Sequence, residues 1–113
     1  MSSRLEIVRE AQITIIDVLS KRLEDLELFV NGLPAEATPT TVLNGMLFID
    51  TLNPILVPDD YYFIDGAGAT EEGEVVGKYQ SLFEGLHKYL EDKEELNLTE
   101  LKDKIKTLKK RIA

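Results

Sequence analysis

The chain has 113 residues, of which 43% are hydrophobic and 30% charged, with a formal net charge of −8 and no Cys. Such a length builds one domain, residues 1–113, and not two. The apolar fraction excludes wholesale disorder, and the lack of Cys excludes disulfides, thiolate metal sites and Cys nucleophiles.

The sequence runs from a helix start into a stop at residues 31–34. Ser3 and Glu6 have the spacing of a capping box. Leu5, Val8, Ile15, Leu19, Leu23, Leu26 and Val30 then recur in steps of three and four, with Gln12 filling one slot. That period keeps one stripe on one face of a helix. Ile7, Ile16 and Phe29 widen the face, and Asn31-Gly32-Leu33-Pro34 ends it, Gly suiting a left-handed cap and Pro blocking continuation. The spacing predicts a helix over about residues 3–31, roughly 42 Å long at 1.5 Å per residue. A rod of that length needs a comparably long partner helix or projects from the domain.

The middle, residues 33–69, admits two readings. Thr38-Pro39 opens a helix with Pro at its first position, carrying Val42, Leu43, Met46, Leu47, Ile49 and Leu52 to a stop at Asn53-Pro54. Alternatively Asn44-Gly45 is a type I′ turn of a β-hairpin. The continuous run Met46-Leu47-Phe48-Ile49 lacks strand alternation and favours the helix. Pro54–Pro58 and Asp59–Ile64 read as extended, because proline blocks helix there.

Residues 70–93 predict the next helix. Thr70 is its N-cap, and Glu71, Glu72 and Glu74 suit the positive end of its dipole. Its stripe is Val75, Tyr79, Leu82, Leu86 and Tyr89, with Val76, Phe83 and Leu90 beside it. Gly73, Gly77 and Gly85 each lower helix propensity by about 1 kcal/mol and either permit close helix approach or lie idle in solvent. The last helix spans about residues 98–112, with Asn97 and Glu100 as capping box and Leu96 with Leu101 at staple spacing. Leu98, Leu101, Ile105, Leu108 and Ile112 form a narrow heptad-like seam. The break at 94–97 is a turn or a kink. The fold class expected is all-α: two long antiparallel helical arms, about 3–31 and 70–112, the second kinked or split, with a short irregular or hairpin-containing middle.

Charge is distributed unevenly. No Lys or Arg occurs between Arg22 and Lys78, an interval holding eleven acids, while residues 102–113 hold six bases and one acid. The body repels phosphate, so nucleic acid is not an expected partner. Basic protein surfaces are its natural complement. The C-terminal lysines suit the negative helix end and ion pairs with the acidic body or a neighbouring copy. No 18-residue apolar run is present, so no membrane span is expected, and the N-terminus reads as a capped helix and not as a signal peptide. These features point to a cytoplasmic chain.

Nothing in the sequence specifies a reaction. Asp65-Gly66-Ala67-Gly68-Ala69-Thr70 has the local order of a phosphate loop, but Glu71 stands where the third glycine belongs and no Gly-Lys-Ser/Thr follows. As a calcium loop it fails, because Tyr61 and Phe63 would occupy ligand positions; a looser carboxylate site from Asp59, Asp60, Asp65 and Glu71 is the remaining metal option. His87 stands alone, without an orienting partner evident from spacing. We therefore expect no catalytic, cofactor-binding or metal residues, no cofactor and no enzyme. The expected function is protein–protein interaction or assembly, as a helical homo-oligomer or a component of a larger particle. The alternatives are an acidic inhibitor that occupies a basic surface, imitating nucleic acid, and a small-ligand binder with its site between subunits. Interface candidates are Leu5, Val8, Ile15, Leu19, Leu23 and Leu26 on the first helix, the acid-flanked aromatics Tyr61, Tyr62 and Phe63, and Leu101, Ile105 and Leu108 on the last.

Overall fold

The computed structural model describes residues 4–64, 66 and 69–112, without the side chains of Tyr62, Phe63 and Ile112. Four α-helices follow one another among the described residues: α1 (Arg4–Asn31), α2 (Pro39–Leu52), α3 (Glu71–Glu91) and α4 (Leu98–Ile112). The all-α expectation holds.

Local chemistry sets the helix ends. Thr38 caps α2, its hydroxyl accepting from the Thr41 N–H at 3.3 Å, with Pro39 in the first turn. This settles the middle as helix and not hairpin: Asn44-Gly45 lies inside α2. Thr70 caps α3 by accepting from the Gly73 N–H at 3.0 Å. Asn97 Oδ1 accepts from the Glu100 N–H at 3.1 Å at the head of α4. The Ser3 half of the first capping box lies outside the described residues. Gly32 closes α1 without a left-handed conformation: its N–H donates to the Leu28 and Phe29 carbonyls at 3.2 Å, and the one positive-φ residue among those described is Gly66. Asp59–Phe63, expected to be extended, forms a short 3₁₀ helix, because Pro58 supplies the carbonyl that accepts from the Tyr61 N–H at 3.0 Å.

The predicted second arm is split, not kinked. Its two halves run in opposite directions, so the antiparallel relation to α1 holds for α4 and not for α3. Gln12 meets Thr70 and Ser20 meets Tyr79, so α1 and α3 ascend together. Glu27 meets Lys109, while Asn31 lies level with Lys102 and Lys106, so α4 descends against α1. The reason is the length of the middle. Fourteen residues of α2 retrace about 21 Å, half of α1, and the segment after Leu52 carries the chain the rest of the way down to Gln12. The topology is up-down-up-down, with short α2 leaving one flank of the lower bundle to that segment.

Two apolar clusters result. The upper one joins Leu23, Leu26, Val30, Val42, Met46, Ile49, Leu86, Leu90, Leu101, Ile105 and Leu108 from all four helices. The lower one joins Ile15, Leu19, Val76 and Tyr79, covered by Ile55, Val57 and Tyr61 of the connecting segment. Each fully buried Leu or Ile stabilises the fold by about 1.5–3 kcal/mol. The molecule measures 55 × 23 × 22 Å.

Candidate interaction surface

α2 carries apolar side chains on its inner side and on parts of its outer side. Of its fourteen residues only Asp50 is charged. Val42, Met46 and Ile49 are buried against the bundle. Leu47, Phe48 and Leu52, on the opposite side, are 68%, 63% and 60% exposed, and Leu56 in the following segment is 79% exposed. The remaining exposed positions of α2 that share this side are Thr40, Thr41, Asn44 and Thr51, all uncharged. Leu47, Phe48 and Leu52 therefore face solvent in the isolated chain, with Asn44 and Thr51 between Leu47 and Phe48 on the helix surface.

A polar clasp fixes the C-terminal end of α2 on α1. Arg22 Nε donates to the Asn53 carbonyl at 3.0 Å and Nη2 to the Asp50 carbonyl at 3.3 Å, with the Asp50 carboxylate 3.7 Å from Nε. Asn53 Nδ2 donates to Asp25 at 3.0 Å and to the Ile49 carbonyl at 2.8 Å. Lys21 donates to the same Asp25 at 3.0 Å. Hydrogen bonds from Lys21 and then Asn53 hold the Asp25 carboxyl below its usual range, and the bond to Asp25 raises Lys21. Gly45 permits the close crossing higher up, because a Cβ there would strike the Phe29 ring.

Beside the clasp a groove of about 370 Å3 opens between α2 and α3. Leu19, Leu26, Met46, Ile49, Ile55 and Phe83 form its apolar surface, and Arg22, Asp50, Gln80, Glu84 and His87 its polar one. The Arg22 charge is spent on the clasp. His87 Nδ1 lies 3.0 Å from Glu91, a partner the sequence reading missed although it stands four residues on. The ionisable groups lining the groove are therefore mixed, Asp50 and Glu84 beside Arg22 and His87, with Asp50 3.7 Å from Arg22.

The expected interface residues are divided by the structure. Val8, Ile15, Leu19, Leu23 and Leu26 of α1 and Leu101, Ile105 and Leu108 of α4 are buried within the chain. Their seams are satisfied by the chain's own helices. Leu5 is half exposed, and Tyr61 packs on the lower cluster. The Tyr62 and Phe63 side chains lie outside those described. The face that does stand free, Leu47, Phe48 and Leu52, was legible as the uncharged, unalternating run 46–49, but sequence alone did not say which of its sides is covered.

Asp65, Ala67 and Gly68 of the glycine loop lie outside the described residues. Among those described, no three His, Asp or Glu side chains gather around a possible metal position, and no helix is long and apolar enough to cross a membrane. Gly77 and Gly85 face open space, whereas Gly73 is buried. Of the C-terminal lysines, Lys109 pairs with Glu27 of the acidic body at 2.9 Å, and Lys104 sits 4.5 Å from the centre of the Tyr89 ring. Burial first, then a hydrogen bond with Glu100, raises the Tyr89 hydroxyl pKa.

Comparison of the chain with protein-family models, curated proteins and solved structures yields no match.

Proposed function

We propose that this chain is a non-enzymatic interaction protein that enters an assembly through the outer face of α2. The observation that carries the reading is the exposure of Leu47, Phe48 and Leu52 on a helix face without a charge, in a chain that is 30% charged. Those three side chains offer on the order of 350 Å2 of apolar surface. Patches of that size on a monomer are often functional, and a standard interface needs about 800 Å2 per partner. The α2 face thus supplies Leu47 on one flank and Phe48 with Leu52 on the other, with Asn44 and Thr51 between them as hydrogen-bonding groups. The Cys-free composition supports a cytoplasmic setting.

The test combines native mass spectrometry with site-directed photo-crosslinking. Assembly with itself gives masses at multiples of 12.8 kDa, lost in Leu47→Ser/Phe48→Ser. Assembly with another protein leaves the pure chain monomeric but gives one defined crosslinked product from a photoreactive residue at position 48 and none from position 110 on α4. A monomer that crosslinks alike from both positions rejects the proposal.

A further inference from the structure

We propose that residues 54–64 are a strap that opens over the lower half of the bundle while the helices stay folded, and that its opening extends the α2–α3 groove into a trough along α1 and α3. The outer face of α2 takes no part in this device.

The lower cluster is small and its cover is thin. Ile15, Leu19, Val76 and Tyr79 are buried, but the buried residues of α4, Leu101, Ile105 and Leu108, all belong to the upper cluster. The strap covers the lower one through Ile55, Val57 and Tyr61. None of these three is fully buried, nor is any other described side chain from Pro54 to Ile64, and Leu56 is 79% exposed. Apolar stabilisation scales with area removed from water, so a half-buried cover holds less firmly than the interlocked upper core.

The strap backbone adds little to its hold. Pro54 and Pro58 have no N–H to donate. Among the described residues, the backbone hydrogen bonds of the stretch lie within it: the Tyr61 N–H donates to the Pro58 carbonyl at 3.0 Å and the Ile64 N–H to the Tyr61 carbonyl at 3.3 Å. The flanks are fixed by contrast. Above, the Asn53 carbonyl accepts from Arg22 and its amide donates to Asp25. Below, the Thr70 hydroxyl donates to Gln12 at 2.8 Å. A segment tied at both ends and lightly packed between them opens at lower free energy than the whole fold.

Leu19 and Ile55 belong both to the groove lining and to the lower cluster with its cover. On α3, Val76 shares a side with Gln80 and Phe83, four and seven residues on, and both of these line the groove. With Ile55 withdrawn, the groove runs on past Leu19 to Val76 and Ile15.

The chain has no Cys, so a single introduced thiol reports exposure without background. Val76→Cys probes the trough, and Val42→Cys, in the upper cluster, probes global unfolding. Under native conditions a thiol reagent is expected to modify position 76 at least about 100-fold faster than position 42. Adding Ile55→Ala should speed position 76 about tenfold. Adding Thr70→Val should speed position 42 about tenfold and leave position 76 unchanged, because the Gln12–Thr70 bond is intact whether the strap is open or shut. Equal rates at the two positions, no effect of Ile55→Ala at position 76, or acceleration of both positions by Thr70→Val would each mean that Val76 is reached only when helices come apart, and overturn the proposal. If either Val variant fails to fold, Leu19→Cys and Leu86→Cys, both 4% exposed in the parent chain, make the same comparison between the lower and upper clusters.

Discussion

Single residues show where this fold stores its local stability. Gln12 is fully buried, and its Oε1 accepts from the Thr70 hydroxyl at 2.8 Å, while the Thr70 oxygen accepts from the Gly73 N–H. One side chain thus caps α3 and serves a buried amide. Thr70→Val keeps the shape and removes both bonds, and about 1–3 kcal/mol of unfolding free energy should go with them, read as a lower urea midpoint at unchanged slope. Glycines separate by surroundings. Gly77→Ala and Gly85→Ala meet no atoms within 4 Å and should each stabilise by about 0.5–1 kcal/mol. Gly45→Ala gains the same propensity but must displace the Phe29 ring, so its thermal midpoint should fall instead. Asp25 adds a pH dependence. Its folded pKa is lowered by Lys21 and Asn53, so its contribution is present above the unfolded carboxyl value of about 3.9 and is lost as pH falls through the folded value. The stability gap between wild type and Asp25→Ala should therefore be constant above about pH 5 and close below about pH 4.

At the level of elements, periodicity identified α1, α3 and α4 and the capping residues located their starts, because both signals are local. Stripe and cap were legible at Val8–Val30, at Thr70 and at Asn97. The state of α2 was less legible, since Asn44-Gly45 is a hairpin signal and the short continuous run Met46–Ile49 has no period to read. The lack of strand alternation in that run favoured helix, and the structure shows it capped by Thr38 with Pro39 in the first turn. Asp59–Phe63 was misread because proline forbids α-helix without forbidding a single 3₁₀ turn after it. The contribution of α4 is mostly burial. Leu101 and Ile105 are 0% and 2% exposed, and Leu101→Ala or Ile105→Ala should cost about 2–5 kcal/mol, a large part of the total for a domain of this size. The Glu27–Lys109 pair, with Lys109 exposed and Glu27 partly so, should by contrast contribute under about 1 kcal/mol and weaken at high salt, as a double-mutant cycle will show.

For the molecule as a whole, elongation is the governing property. A compact chain of this length has a radius of gyration of about 13 Å, whereas this one has 15.7 Å and a long axis of 55 Å. Small-angle scattering of the monomer should give a pair-distance distribution ending near 55 Å, and a globular curve would contradict the bundle. Length follows from α1, and α1 was plain in the sequence: 28 residues without a breaker impose a rod whatever packs beside it. Helical class, helix ends, the base-free interval and the absence of Cys chemistry were likewise set by residue order, because each depends on neighbours a few positions apart. Direction and coverage were not. Whether α3 runs with α1 or against it depends on how far α2 and the segment after it carry the chain back. Whether Leu23, Leu101 or Phe48 meets solvent depends on which helix arrives beside it. Those outcomes involve residues tens of positions apart, so only the packed structure decided that the predicted seams close on themselves and that Leu47, Phe48 and Leu52 of α2 are left to solvent.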